Sequence, residues 1–219
     1  MRLSVVIPAL NAAGRLHRTI ASVAGVAEVI VVDGGSADGT AGVAERLGAC
    51  VIKAPPGRGV QLAAGIAAAR HDWLVLLHAD TVLAPGWREA VLQHIERHPG
   101  KAGWFRFALD SVSRRARRLE RLVAWRSRVL ALPYGDQGLL IHRALLGAAG
   151  GVRPLPLMED VDLVWRLGRK RLAPLDAIAV TSAERWEREG WTRRSVRNLL
   201  CLVLWFAGVP PRVIARLYA

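Results

Sequence analysis

The chain has 219 residues, of which 52% are hydrophobic and 22% charged. It is long enough for one sizeable core, and its mean hydropathy of +0.23 argues against a disordered segment. The net charge of +13 is carried almost wholly by arginine, the lysines being Lys53, Lys101 and Lys170; such a field attracts nucleic acid, an anionic membrane or a phosphorylated substrate alike. Cys50 and Cys201 lie in apolar runs with no CxxC or histidine-spaced partner, which argues against a zinc site or disulfide framework and predicts two buried free thiols.

Arg2 is followed by a short apolar run broken by Ser4 and Pro8, which reads as a strand rather than a leader, so a cytoplasmic location is expected. The β-branched runs Ser4–Pro8 and Val29–Val32 enclose a helical pattern over Ala12–Val23, a βαβ unit. Further strands are predicted at Ala49–Lys53 and Trp73–Leu77, with helices at Thr40–Leu47, Gly59–Arg70 and Gly86–His98. This alternation specifies a parallel sheet covered by helices, with ligands beyond the carboxyl ends of its strands. The residues there are Ala9–Asn11, Asp33–Thr40 and His78–Thr81.

From Gly103 the pattern changes to a strand at Trp104–Leu109, an arginine-rich helix over Ser113–Ala131, a turn at Tyr134–Gly138 and a helix starting near Glu159. Its apolar patches are too short for a second core, so this half is expected to complete the first sheet. The expected fold is α/β, Rossmann-like, with a mainly parallel sheet, helices on both faces and a C-terminal helical segment. The apolar stretch Leu199–Val209 falls short of the roughly 20 residues that cross a bilayer.

Several turns carry groups suited to chemistry. Asp33 ends a strand before glycines that permit close approach, and its carboxylate suits a ribose or base; Asp38 and Thr40 equally suit helix caps. No GxGxxG follows the first strand and no P-loop occurs. Gly57-Arg58-Gly59 opens a helix, where a guanidinium and backbone N–H groups suit a phosphate, although a solvated loop arginine explains it too. Asp80, with His78 two residues earlier, suits one divalent cation, against a turn former and a packing histidine. Glu159, Asp160 and Asp162 supply a general base, or else stabilise a helix dipole. Asp136 and Gln137, in the turn Gly135–Gly138, suit sugar or acceptor hydroxyls.

Taken in order, Ser4–Asn11, Val31–Thr40 and Leu77–Thr81 resemble the donor half of family 2 glycosyltransferases, which have the GT-A fold. Small bacterial members with LHADT in place of DxD, and a later GDQG and MED, look most similar: here His78–Thr81 after Leu77, Gly135–Gly138 and Met158–Asp160. The resemblance covers nearly the whole chain. It implies one domain over 1–219, with a nucleotide-sugar half at 1–102, an acceptor and catalytic half at 103–184, and a helical tail at 185–219. It further implies a nucleotide-diphosphate sugar donor lined by Pro8, Ala9, Asn11, Asp33, Gly34, Arg58, His78, Ala79 and Asp80. A divalent cation, Mg²⁺ or Mn²⁺, would sit on Asp80 with His78, where the family has a second acid. Asp160, with Glu159 beside it, would be the base of an inverting transfer to an unidentified acceptor touching Asp136 and Gln137. Arg185-Trp186 is similar to a segment that closes over the diphosphate in processive relatives.

Two other classes compete. A nucleotidyltransferase would also use Asp80 and a metal, but wants a glycine-rich basic signature that Asn11–Arg15 does not supply. A non-enzymatic basic module explains the arginines and leaves the acids at strand tips without purpose; nucleic acid is therefore not the expected partner. On a helical wheel Arg114, Arg117, Arg118, Arg121 and Arg128 share a face with Trp125, opposite Val112, Ala116, Leu119, Val123 and Leu130. The expectation is peripheral binding at the inner face of an anionic membrane, with a lipid-linked or phosphorylated acceptor.

Overall fold

A computed structural model describes residues 2–134 and 136–218. The first half alternates β1 (Ser4–Ala9), α1 (Ala13–Ser22), β2 (Glu28–Asp33), α2 (Thr40–Arg46), β3 (Cys50–Lys53), α3 (Arg58–Ala68) and β4 (Trp73–Leu76), then adds β5 (Thr81–Leu83) and α4 (Trp87–Arg97). Strands β3, β2, β1 and β4 lie side by side and parallel. Both faces of this sheet are covered, which is why its strands read as unbroken apolar runs. Val5 and Ile7 pack toward Leu16, Ile20, Trp87 and Val91, whereas Val6 between them packs toward Leu62 on α3.

The second half contributes β6 (Ala102–Leu109), α5 (Arg114–Val129), β7 (Leu139–His142), α6 (Arg143–Ala148), α7 (Glu159–Leu167), β8 (Leu172–Thr181), α8 (Glu184–Glu189), α9 (Trp191–Phe206) and α10 (Pro211–Tyr218). Its strands extend the same sheet to eight, in the order β3-β2-β1-β4-β7-β6-β8-β5. Strand β7 runs antiparallel to β4 with Leu139 opposite Leu76, so the turn before β7 lies beside the segment that leaves β4. Strands β6 and β8 run parallel to each other and antiparallel to β7, so their carboxyl ends reach the same edge of the sheet as those of β1 to β4.

Three strands went unread in the sequence. Strand β5 has three residues and β7 four, too few to show a period, and β8 contains Pro174 and Asp176, which depress strand propensity. The ladder tolerates Pro174 because the β6–β8 register shifts beside it, between Trp104 and Arg106.

Two expectations need correction. Cys201 is buried but Cys50 is exposed, because β3 is the edge strand of the sheet. On α5, Ala116, Leu119 and Val123 pack inward as expected, whereas Val112 before the helix is 100% exposed and Leu130 just after it lies open with Leu122, Trp125 and Val129. Arg117 also has an acid beside it: its Nη1 donates to Glu120 Oε2 at 2.5 Å. Among the described residues no helix is long and apolar enough to cross a membrane.

Gly65 sets how closely α3 approaches the sheet. A Cβ there would lie 2.4 Å from Val6 Cγ1 and 2.7 Å from Val32 Cγ2. Gly65→Ala is expected to destabilise the protein by about 1–3 kcal/mol through overpacking, despite alanine's better helix propensity. Chemical denaturation measures this as a lower midpoint.

Candidate functional site

The cleft lies at the carboxyl edge of the sheet. At the β1 and β2 ends, loops satisfy one another. Asn11 N donates to Ser36 Oγ at 2.9 Å, Ala12 N to Thr40 Oγ1 at 2.8 Å and Ala13 N to Asp38 Oδ2 at 3.0 Å. The backbone N–H groups leading into α1, and that of its first residue, are thus satisfied by side chains of the loop after β2. Asp38 is a cap in both directions, since Oδ1 also accepts from Thr40 N at 3.1 Å. The Asp33 carboxylate accepts from Gly35 N at 3.2 Å and Ser36 N at 3.1 Å, shaping the turn after β2. Asn11 has φ of 50° and accepts from Ala37 N through Oδ1 at 3.0 Å.

Gln61 went unread in the sequence, where a glutamine on an amphipathic helix carries no signal. Its Nε2 donates to Ala9 O and Val32 O, each at 2.8 Å, tying α3 to the ends of both strands. Gly34 makes room for it: a Cβ there would lie 3.0 Å from Gln61 Nε2.

Arg58 opens α3 and gathers the polar groups of the cleft. Its Nε lies 3.0 Å from Glu159 Oε1 and its Nη2 lies 3.6 Å from Asp160 Oδ2, while Nη2 also meets His78 Nε2. The Nε–Oε1 approach is an ion pair without hydrogen-bond alignment. On the other side of the ring, His78 Nδ1 is 2.7 Å from Asp136 Oδ1. A carboxylate only accepts and a guanidinium only donates, so Nδ1 carries the proton and Nε2 the lone pair. His78 therefore bridges Asp136 to Arg58 with both nitrogens engaged. As a metal ligand through Nε2 it would have to displace Arg58.

Burial opposes the charge of Arg58, but Glu159, Asp160, Asp136 and Asp80, in that order, outweigh it and hold its proton more firmly than usual. Burial likewise works against ionised Asp136, yet His78 and then Arg58 and Arg185 pull its carboxyl well below the ordinary range. Glu159, 2% exposed, moves the other way: burial pushes its pKa up, with Arg58 opposing and Asp160 adding to the rise. Asp160, with 22% of its side chain exposed, lines the cleft together with Pro8, His78 and Tyr134. Tyr134 is held by Arg126, whose guanidinium carbon sits 3.6 Å from the ring centroid.

Other expected residues fall elsewhere. Gln137 is 2% exposed, donates to Phe105 O at 3.1 Å and accepts from Ser127 Oγ at 2.9 Å and Arg126 Nη2 at 3.2 Å, so its amide is engaged inside the fold. Gly135 lies outside the described residues. Asp162 pairs with Arg153 and Arg166 and braces α7. Trp186 is buried, 6.5 Å from Phe107 between ring centroids, and stays inside a small core. Ala79 O accepts from Thr19 Oγ1 at 2.9 Å, and Asp80 O from Ser182 N at 3.1 Å. The Asp80 side chain lines a polar cavity with Arg15, Arg18, Asp110 and Glu184.

The chemistry of these donors suits a hard divalent cation. Four carboxylates act on the Arg58 guanidinium, Asp80 from the neighbouring cavity, while Arg126 and Arg185 also act on Asp136. Among the described residues no three His, Cys, Asp or Glu side chains enclose a metal by themselves. Mg²⁺ and ions like it need only one or two carboxylates when phosphate oxygens and water complete the shell.

Solved structures share this architecture. S. aureus TarS residues 1–349, crystallised with UDP-GlcNAc, is 17% identical with a TM-score of 0.64, over 83% of this chain and 58% of that one. Glucosyl-3-phosphoglycerate synthase from Mycobacterium tuberculosis, solved with Mn²⁺, UDP and glucosyl-3-phosphoglycerate, is 22% identical with a TM-score of 0.60, over 95% of this chain and 80% of that one. A further mycobacterial protein is 24% identical with a TM-score of 0.63, over 95% of this chain and 75% of that one. The chain thus spans little more than half of the TarS fragment. The fold is of the GT-A class. Residues 4–145 match the model of glycosyl transferase family 2, and the chain belongs to that family.

The depressed pKa of Asp136 has a consequence for stability. A carboxyl whose folded pKa lies below its unfolded value stabilises the fold above about pH 4 and loses that contribution as the pH falls toward the folded value. Asp136→Asn is therefore expected to lower the urea midpoint at pH 7, with the gap from wild type narrowing at pH 3. A gap that does not vary with pH would rule out this linkage.

Proposed function

We propose that this family 2 chain is a metal-dependent, inverting glycosyltransferase that moves a sugar from a nucleoside-diphosphate donor to an acceptor hydroxyl. The observation carrying the reading is the convergence of Arg58, Asp136, Glu159 and Asp160 at the carboxyl edge of a GT-A sheet, with Asp80 lining a neighbouring polar cavity at the same edge. The donor's nucleoside faces Pro8, Ala9, Asn11, Asp33 and Gly34, and its diphosphate faces Arg58, Ala79 and Asp80. The Mn²⁺ and UDP in the glucosyl-3-phosphoglycerate synthase structure support this assignment of the donor side.

Asp80 would hold a divalent cation, which when bound would supply positive charge to offset that building on the leaving nucleoside diphosphate. Arg58 supplies donors to the same phosphates, and the buried Glu159 holds its guanidinium in place. Asp160 takes the proton from the attacking hydroxyl, and Asp136, oriented by His78, faces the acceptor. Attack from the face opposite the leaving group inverts the anomeric carbon. The acceptor is lipid-linked or phosphorylated and is offered at the inner face of an anionic membrane, in keeping with the arginines along α5.

Asp160→Asn is expected to lower turnover by about 10²–10⁴-fold with donor affinity little changed, the usual worth of a positioned base. Near-normal turnover would move the role to Glu159. Asp80→Ala should abolish the stimulation of donor hydrolysis by Mn²⁺ or Mg²⁺ while leaving the melting curve intact; activity indifferent to chelation of the wild type counts against the metal. Proton NMR of the product reads the anomeric outcome. Release of pyrophosphate instead of a nucleoside diphosphate would favour a nucleotidyltransferase.

A further inference from the structure

Helices α9 and α10 form a hairpin that leaves much of its apolar surface uncovered. On α9, Val196, Leu199, Leu200, Val203 and Phe206 recur at helical spacing and are all exposed, Leu199 by 61% and Val203 by 56%. Trp165 of α7, itself exposed, meets Phe206 edge-on with ring centroids 5.0 Å apart, so the patch runs on from the hairpin to the body of the protein. Helix α10 adds Val213 and Leu217 one turn apart. An exposed apolar stripe of this extent marks a binding surface.

The hairpin is nevertheless firmly seated. Arg194, 5% exposed, donates to Glu189 Oε1 at 2.9 Å and to Tyr218 Oη at 3.2 Å, and stacks 4.8 Å from the Trp186 ring centroid. Cys201 and Ile214 fill the space beneath. The open stripe is thus held in place on a fixed helix.

Charge selects the occupant. Between Trp191 and Tyr218 there are five arginines and no aspartate or glutamate. Arg194 and Arg197 pair with Glu189, whereas Arg193, Arg212 and Arg216 are exposed. A second copy seated symmetrically on this face would bring like charges together with no acid from either hairpin to offset them. An anionic bilayer accepts both features, apolar side chains below the headgroups and arginines among them. Neither helix can span it.

We infer that the α9–α10 hairpin, with Trp165, is a docking face that lies in the surface of an anionic membrane. This deepens the proposed transfer to a membrane-presented acceptor and rests on it for its purpose alone, since vesicle binding needs neither donor nor acceptor.

The test is cosedimentation of the full chain with phosphatidylglycerol–phosphatidylcholine vesicles and with phosphatidylcholine alone. Wild type should pellet with the anionic vesicles and be released by salt, because exposed charges are screened within about 10 Å at 0.1 M. Leu199→Gln with Val203→Gln should weaken binding at least about tenfold while the melting temperature and Mn²⁺-stimulated donor hydrolysis stay unchanged. Wild type remaining in the supernatant at low salt overturns the inference. So does a double variant that binds as well as wild type, which moves the contact to α5, or a wild-type dimer that the double variant makes monomeric. Vesicle binding in a chain that hydrolyses no donor would retain the docking face and remove the enzymatic reading.

Discussion

A guanidinium held among carboxylates at the mouth of a sheet must be matched, and matching Arg58 organises this cleft. Glu159 and Asp160 reach it from α7, His78 from the segment after β4, and Asp136 through His78. Burial pushes Glu159 toward neutrality against the pull of Arg58, whereas His78 and then Arg58 hold Asp136 ionised. Glu159 is almost fully buried, whereas the side chains of Asp160 and Asp136 keep more contact with water.

The backbone allows this convergence at two close approaches. Gly59, next to Arg58, lies so near the 153–155 loop that a Cβ would sit 2.4 Å from Arg153 O and 2.9 Å from Leu155 N. That contact brings the start of α3 up against the segment leading into α7. Met158 then enters α7 with φ of 68°, an unfavourable conformation for a bulky residue. Strain of this kind costs about 1–3 kcal/mol and persists where the surroundings enforce it. Here it turns the first carboxylates of α7 toward Arg58. Asn11, with φ of 50°, plays a similar part at the end of β1.

The insertion of β7 between β4 and β6 has the widest consequences. It reverses direction in the middle of the sheet and so lays the Asp136 turn beside His78. It also leaves β6 and β8 with their carboxyl ends at the same edge, where Asp110 and Ser182 join Asp80 around a second polar cavity. Polar groups from opposite halves of the chain thereby share one rim.

Much of this was legible in the sequence because it is local. The apolar runs at Ser4–Pro8 and Val29–Val32 specify parallel strands with both faces buried, and the polar groups just beyond them mark the rim. The opening of α3 at Gly57-Arg58-Gly59, the acids starting α7, and the likeness of three ordered motifs to one family were all readable without coordinates. What only the tertiary structure decided is how each polar group is engaged. Gln137 looks like a ligand in a glycine turn, yet its amide is taken up by Phe105, Ser127 and Arg126; His78 looks like a metal ligand, yet it bridges Asp136 and Arg58. Gln61, silent in the sequence, ties two strand ends together. Period and composition report which residues face the interior. A hydrogen-bond partner tens of residues away depends on strand order and on close approaches such as that at Gly59, which no local pattern encodes.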